Sequence, residues 1–120
     1  MNTTAKGLAA EAQAAAYLQA KGYTLLTRNF RAPHGEIDLI AQHQKTLVFV
    51  EVKQRTSLAF GGPVAAVTPA KQKRIAGAAA YFIKTHPALK YTQIRFDIIS
   101  ILPGQTEQLE NAFVPLRTTL

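Results

Sequence analysis

Two runs of mostly apolar residues near the middle of the chain, at positions 36–42 and 47–55, carry polar residues at alternate positions near one end of each run. Both runs are rich in β-branched and aromatic residues, and a polar stretch at positions 43–46 joins them. Side chains alternate between the two faces of a strand, so this pattern is typical of two paired strands connected by a turn. The sequence therefore predicts a central β-hairpin.

The remaining apolar pattern predicts two helices and further strands. Apolar positions at steps of three and four indicate the first helix, and Thr68 followed by Pro69 is typical of the start of the second. In chain order we expect a helix at 8–21, a strand at 23–30, the hairpin, a loop at 55–67, a helix at 69–85, a strand at 91–102 and a short final element at 109–114. This order, αβββαβ with a tail, predicts an α/β or α+β layered domain.

Length and composition fit a single domain over residues 1–120. A chain of 120 residues with 48% hydrophobic and 18% charged residues has enough apolar surface to fold as one unit. The absence of cysteine excludes disulfides, thiolate zinc sites and a cysteine nucleophile. No apolar run approaches the ~20 residues of a membrane span. We expect a soluble, cytoplasmic protein that does not act at a membrane.

The charge of the chain favours a polyanionic partner. Lys and Arg exceed Asp and Glu by 14 to 7, which gives a net charge of +7 and a pI near 10.0. Nucleic acid is the common partner of such a surface, although charge that serves only solubility would give the same total. The positions of the charged residues must therefore decide between the two.

The acids of the hairpin suggest a cation site. A two- or four-residue turn within positions 43–46 places Asp38 opposite Glu51 and Glu36 opposite Lys53, with Cβ atoms about 4.5–5.5 Å apart. Two facing carboxylates repel unless a proton or a divalent cation lies between them, and oxygen ligands favour Mg²⁺ or Mn²⁺ over zinc. A turn of three or five residues would break this register. The alternative to a cation site is that Glu36 and Lys53 simply form a cross-strand ion pair, with Asp38 at an exposed edge.

Lys53 is a candidate to complete this site. Lys53 shares a strand face with Glu51, where it would orient or deprotonate a water and offset phosphate charge, or it is an ordinary solvated lysine. The valines of positions 48–52 point to the opposite face, which is expected to be the core. Glu11 lies on the apolar stripe of the first helix, where it is either a packing residue or the partner of an arginine such as Arg28 or Arg31.

Basic residues at the start of the second helix predict a nucleic-acid contact. Lys71, Lys73 and Arg74 lie where the positive end of the helix dipole disfavours cations, and a bound phosphate would remove this conflict, although a solvated face is the alternative. Phe60 either stacks on a base or anchors its loop. The expected nucleic-acid-binding residues are Arg31, Arg55, Lys71, Lys73 and Arg74. No base-reading motif is present, so recognition of backbone shape is expected.

The strings GEIDLIA at 35–41 and FVEVKQR at 49–55, preceded by the helical Glu11, resemble the PD-(D/E)xK nuclease superfamily and, within it, the bacterial YraN-like family. The resemblance implies a restriction-endonuclease-like core with a mixed central sheet flanked by helices. It also implies that Asp38 and Glu51 ligate Mg²⁺ or Mn²⁺, that Lys53 assists the attacking water, and that Glu11 reaches the site. Ile37 stands where the superfamily name has Pro.

The expected function is therefore that of a metal-dependent endonuclease that hydrolyses DNA phosphodiester bonds and selects branched or single-stranded DNA. A resolvase-like activity would imply a homodimer. The alternative is a non-catalytic basic module that holds nucleic acid or a repair partner on a nuclease scaffold. Asp97 is expected to be structural, paired with Arg95 or with another basic residue nearby.

Overall fold

The computed structural model describes residues 5–55 and 64–115, which form two α-helices, a 3₁₀ turn and five strands. In chain order these are α1 (Ala5–Ala20), β1 (Thr24–Ala32), β2 (Gly35–His43), β3 (Thr46–Gln54), the 3₁₀ turn (Val64–Ala66), α2 (Pro69–Thr85), β4 (Gln93–Leu102) and β5 (Gln105–Leu109). The predicted order αβββαβ is confirmed. Phe60 and most of the expected loop at 55–67 lie outside the described residues.

The five strands form one mixed sheet in the order β1-β2-β3-β4-β5. Neighbouring strands are antiparallel except β3 and β4, which run parallel and are connected through α2. The final element was expected at 109–114 but is β5, because Pro103 and Gly104 form a tight turn, with Gly104 at φ 70°, that folds the chain back along β4. This is an α+β arrangement around a mixed sheet.

Local signals in the sequence set the ends of both helices. The Thr68 hydroxyl accepts a hydrogen bond from the Lys71 backbone N–H at 3.2 Å, and Pro69 occupies the first helical position of α2. Gly22, at φ 91°, follows the end of α1 in the left-handed conformation that glycine adopts without strain. Neither helix in residues 5–55 and 64–115 has the length and hydropathy of a membrane span.

Both faces of the sheet are buried, which corrects the expectation that only the valine face of β3 forms the core. Val48 and Val50 pack beneath α1 with Leu18 of that helix. Phe49, on the opposite face of β3, packs against Phe82 of α2 with ring centroids 6.1 Å apart. Because each face has its own helix, β3 is apolar on both sides over most of its length. Charged residues occur only towards its carboxyl end, beside the start of α2.

A fully buried aspartate connects the first half of β4 with β5 and the segment that follows it. Asp97 Oδ1 accepts hydrogen bonds from Arg95 Nε and from the Asn111 backbone N–H, both at 2.9 Å. Asp97 Oδ2 accepts from Arg95 Nη2 at 3.0 Å and from Gln108 Nε2 at 2.9 Å. The expected pairing with Arg95 is thus confirmed. With four donors on two oxygens, the carboxylate is fully satisfied, and its role is structural.

Replacing Asp97 with Ala is expected to lower the free energy of unfolding by about 3–5 kcal/mol, because the change leaves a guanidinium and a backbone N–H without their acceptor. Chemical denaturation followed by circular dichroism measures this loss. Glu110→Gln is the matched control, since Glu110 is exposed and approaches the same Arg95 at 3.3 Å. The control should change stability by less than about 1 kcal/mol. Equal losses in the two variants would contradict the structural role of Asp97.

Candidate active site

The strands β2 and β3 separate at the position of the two hairpin acids. The predicted register is confirmed up to the pair Leu39 and Val50, where the hydrogen-bonded ladder ends. The next residues are Asp38 and Glu51. In place of the next rung, the Val52 backbone N–H donates a hydrogen bond to Asp38 Oδ2 at 2.8 Å. The Asp38 side chain therefore accepts the hydrogen bond of a backbone N–H that has lost its partner in the sheet, and this contact stabilises the separation of the two strands.

A second irregularity lies on the other side of β2. Asn29 of β1 has φ 50°, a left-handed conformation that is uncommon for residues other than glycine, and the ladder between β1 and β2 skips Asn29 and Asp38. The Asn29 Oδ1 atom is buried with no hydrogen-bond partner among the described residues. Backbone strain of this kind concentrates at functional sites. The strand distortion at Asn29 and Asp38 was not predictable from residue pattern alone.

The separated strands and the start of α2 enclose a cleft of about 620 Å³. Its lining residues come from β1, β2, β3 and α2: Arg31, Ala32, Gly35, Glu36, Asp38, Glu51, Val52, Lys53, Lys71, Arg74 and Ile75. Three of the four predicted catalytic residues, Asp38, Glu51 and Lys53, thus share one cleft with three predicted nucleic-acid-binding residues.

Gly35 allows α2 to lie close to β2. A Cβ atom at Gly35 would stand 2.5 Å from the Arg74 carbonyl oxygen, a distance that real Cβ atoms do not reach. A residue with a side chain would therefore push the helix away from the strand. Because the second turn of α2 is held against β2 in this way, the side chain of Lys71 is positioned over the end of β3. Sequence reasoning included Gly35 in a motif but did not assign it this role.

Glu51 is buried and lies between two lysines. Lys71 Nζ is 2.5 Å and Lys53 Nζ 3.5 Å from the same Glu51 oxygen, Oε2, and the Glu51 side chain is only 7% exposed. The expectation that Glu36 faces Lys53 is wrong, because the ladder ends at Leu39 and the strands diverge beyond it. Lys71 was expected to meet phosphate, which stays a prediction, and the structure shows an ion pair between Lys71 and Glu51.

The charged groups of the cleft shift one another's pKa values. Burial, the charge of Glu51 and a hydrogen bond between the two carboxyl groups raise the pKa of Asp38 to about 8, against the lowering effect of the Val52 N–H. Burial and the neighbouring Lys71 lower the pKa of Lys53, against the attraction of Glu51. Burial alone would lower the pKa of Lys71, but its hydrogen bonds to Glu51 and Lys53 outweigh burial and raise it. Perturbed groups gathered in a cleft are typical of functional sites.

Glu11 lies close to this group but does not complete a cluster of three acids. It is 6% exposed on α1, its Oε1 atom has no hydrogen-bond partner among the described residues, and its charge contributes to raising the pKa of Asp38. Within residues 5–55 and 64–115, no three Asp, Glu or His side chains are gathered closely enough to hold a metal ion. Asp38 and Glu51 are therefore the two carboxylates that the structure brings together.

The donor set suits Mg²⁺ or Mn²⁺ in its chemistry. Asp38 and Glu51 supply carboxylate oxygens that repel each other, as the raised pKa of Asp38 indicates. Mg²⁺ is commonly held by one or two carboxylates and keeps several waters or substrate phosphate oxygens as its other ligands. Two carboxylates at the floor of an open cleft therefore fit this ion, and the unsatisfied Glu11 Oε1 offers a further acceptor nearby.

The predicted nucleic-acid-binding residues fall into two groups. Arg31, Lys71 and Arg74 line the cleft, and both arginines are exposed at its mouth. Lys73 is exposed on α2 and does not line the cleft, whereas Arg55 lines a separate cleft of about 630 Å³ beside residues 101–104. For the three residues of α2 the helical position explains the difference, because Lys71 and Arg74 are three residues apart and share a face of the helix.

Replacing Asp38 with Asn is expected to stabilise the metal-free protein at pH 8 by about 1–2 kcal/mol. The pKa of Asp38 is about 8 in the folded protein against an ordinary value of 3.8. Between pH 3.8 and pH 8 the folded protein therefore binds a proton at Asp38 that the unfolded chain does not bind, and the folded state loses stability as the pH rises through this range. Asparagine cannot ionise and avoids this loss while keeping an acceptor for Val52. Denaturation at pH 5 and pH 8 in EDTA measures the effect. An equal ΔΔG at the two pH values would contradict it.

Comparison with known proteins identifies related sequences along most of the chain. The sequence model of the family described as "Uncharacterised protein family UPF0102" matches residues 10–101. A UPF0102 protein of Cupriavidus pinatubonensis is 45% identical over 112 residues, which cover 92% of this chain and 87% of the relative. Another from Saccharophagus degradans is 47% identical over 107 residues, covering 89% and 91%, and one from Lachnoclostridium phytofermentans is 42% identical over 113 residues, covering 94% and 96%.

Proposed function

Because the chain belongs to the UPF0102 family, the YraN-like family, and that family's description names no activity, we propose from the cleft itself that the protein is a metal-dependent endonuclease that hydrolyses DNA phosphodiester bonds. The observation that carries this proposal is the meeting of Asp38, Glu51 and Lys53 where β2 and β3 separate. Two carboxylates and an amine of lowered pKa in one cleft are the groups that metal-assisted phosphodiester hydrolysis requires.

Membership of the PD-(D/E)xK superfamily, with a restriction-endonuclease-like core, is part of the proposal. The helix-first order αβββαβ, the mixed sheet and the sequence Glu51-Val52-Lys53 at the end of β3 support it. The acidic partner Asp38 comes from the neighbouring strand at the point where pairing ends. The two motif strings thus correspond to adjacent strands whose polar ends open into one cleft.

Asp38 and Glu51 are the proposed ligands of Mg²⁺ or Mn²⁺, with Glu11 acting from α1 either directly or through a water. A bound divalent ion would lower the pKa of a ligand water and stabilise charge on the phosphoryl oxygens. Lys53 carries a proton in its pair with Glu51, but burial and Lys71 lower its pKa, so it would lose that proton more readily than an ordinary lysine and, once neutral, would accept a proton from the attacking water. The water oxygen would form a bond to phosphorus while the bond to the 3′-oxygen breaks, and the 3′-oxygen would take up a proton from solvent, which leaves a 5′-phosphate and a 3′-hydroxyl.

The basic rim of the cleft would hold the DNA backbone. Arg31 and Arg74 are exposed at the mouth, where each would contact phosphate oxygens, and the net charge of +7 favours association with a polyanion. These contacts read phosphate positions and not base edges. We therefore propose selection by DNA structure, with branched or single-stranded DNA as the preferred class of substrate.

A cleavage panel tests this function. Purified protein is incubated with duplex, flap, four-way junction and single-stranded DNA in Mn²⁺, Mg²⁺ or EDTA, and the products are resolved on denaturing gels. We expect metal-dependent cutting of at least one branched or single-stranded substrate and no cutting by Asp38→Ala. Glu107→Gln is the control, because it removes a carboxylate from β5, outside the cleft lining. Equal cutting by wild type and Asp38→Ala, or none on any substrate, would contradict the proposal.

A second candidate is a non-catalytic module that binds DNA or a repair partner. The observation that favours it is the ion pair between Lys71 and Glu51, which already neutralises one of the proposed ligands. Such a module would show salt-sensitive DNA binding without cleavage and without saturable metal binding. Calorimetric titration with Mn²⁺ separates the two candidates, since only the nuclease requires a stoichiometric metal site.

A further inference from the structure

Glu51 receives far more positive charge than its neighbour Asp38. Two ammonium groups approach the Glu51 Oε2 atom, and the closer one, at 2.5 Å, belongs to Lys71. Asp38, by contrast, accepts a hydrogen bond from a neutral backbone N–H, and its pKa is raised. Both lysine ammonium groups thus lie beside Glu51, and neither forms an ion pair with Asp38.

Of the two lysines beside Glu51, Lys71 is the one whose ammonium group can move away. Lys53 follows Glu51 on the same strand, whereas Lys71 projects from α2, and its long side chain is 33% exposed. The mouth of the same cleft carries Arg31 and Arg74. A rotation about the side-chain bonds of Lys71 would move its ammonium group from the Glu51 carboxylate to an anion bound at this mouth, with no change in the backbone.

The position of Lys71 in α2 favours such an exchange. It lies in the first turn, where the helix dipole disfavours a cation, and its own backbone N–H is bound by the Thr68 cap. Gly35 holds the next turn of the helix close to β2. Among the carboxylates of the described residues, Glu51 is the one within ion-pair distance of this ammonium, and a phosphate would be an equivalent partner.

We propose that Lys71 is an internal counter-ion that competes with the divalent cation for Glu51, and that DNA phosphate in the cleft draws Lys71 away and so makes the metal site available. This inference rests on the proposed nuclease function and adds to it a coupling between substrate and metal. By thermodynamic linkage, DNA then increases metal affinity by the same factor as metal increases DNA affinity. The free protein binds the metal weakly, which keeps the site inactive until a substrate is present.

Metal affinity in the absence of DNA is the direct test. Mn²⁺ binding is measured by calorimetry and by electron paramagnetic resonance at pH 8 for wild type and for Lys71→Gln and Lys71→Met, which remove the charge with different side-chain lengths. We expect both variants to bind Mn²⁺ roughly tenfold more tightly, the size of a typical coupling between sites. Lys73→Gln is the matched control, because it removes the same charge from an exposed position of the same helix, outside the cleft lining.

The second arm adds a phosphorothioate-linked DNA that resists cleavage. DNA should increase the Mn²⁺ affinity of the wild type several-fold more than that of Lys71→Gln, because the variant has no counter-ion to release. Thermal unfolding of each variant verifies that it is folded, and two different replacements guard against the failure of one.

The outcomes separate this inference from the proposed function. Equal Mn²⁺ affinity of wild type, Lys71→Gln and Lys71→Met, with saturable binding in all three, would overturn the counter-ion role and leave the nuclease function standing. An equal gain in Lys73→Gln would reduce the effect to general charge and would also overturn it. Absence of Mn²⁺ binding in every variant, with and without DNA, would overturn the proposed function and this inference together.

Discussion

Replacing Glu51 with Gln is expected to reduce DNA cleavage by at least about a thousandfold, which corresponds to about 4 kcal/mol of transition-state stabilisation. Gln has the same shape, so the β3 backbone and the apolar residues under α2 remain in place. The change removes one of the two carboxylates of the proposed metal site and leaves Lys53 and Lys71 without their shared partner. The measurement is single-turnover cleavage of the best substrate in the panel, at saturating Mn²⁺.

DNA binding provides the internal control for Glu51→Gln. Loss of a negative charge beside two lysines should maintain or increase DNA affinity in EDTA, measured by fluorescence anisotropy. The variant should therefore bind DNA at least as tightly as wild type while cutting it far more slowly. A Glu51→Gln protein that cleaves at more than a tenth of the wild-type rate would contradict the ligand role of this residue.

Replacing Lys53 with Met is expected to lower the cleavage rate by about 10²–10⁴-fold, the usual contribution of a positioned acid–base group. Met matches the length of the lysine stem but has no amine to accept a proton or to stabilise phosphate charge. Lys71 does not replace it, because the pKa of Lys71 is raised by its hydrogen bonds to Glu51 and Lys53, and its amine stays protonated. Single-turnover rates across pH 6 to 9 measure both the loss and the change in pH profile.

Metal binding distinguishes a chemical role of Lys53 from a structural one. Lys53→Met should bind Mn²⁺ as tightly as wild type or more tightly, since it removes a positive charge 3.5 Å from Glu51. If Lys53 serves only to hold Glu51 in place, metal affinity should fall with activity. A rate within threefold of wild type would refute the role in proton transfer. Lys84→Met, from the exposed end of α2, is the control for loss of a lysine.

The hairpin and its acids were predictable because their determinants are local. Two β-rich runs separated by a short polar stretch define a two-residue turn at Gln44 and Lys45, and this turn fixes which residues face each other. The same register brings Asp38 next to Glu51. The start of α2 was equally predictable, since a Thr cap and a Pro at the first position act through neighbouring residues alone.

The end of the β2–β3 ladder and the partner of Lys71 were not predictable, because they depend on contacts between distant segments. The strands diverge where the Asp38 side chain replaces a backbone partner and where Asn29 adopts a left-handed conformation on the neighbouring strand. Lys71 reaches Glu51 only because α2 crosses the sheet and approaches Gly35. Residue pattern assigned Lys71 to phosphate but contained no information on how α2 lies on the sheet.

The two-residue connection between β2 and β3 also affects the order in which the protein folds. A hairpin closes a very short loop, whereas the parallel pairing of β3 with β4 requires the whole crossover through α2. We therefore expect the hairpin to form before the crossover, so that Asp38 lies near Glu51 before Lys71 of α2 arrives. Lys71 can neutralise Glu51 only once the crossover through α2 is complete, so the charge balance of the cleft is established late in folding.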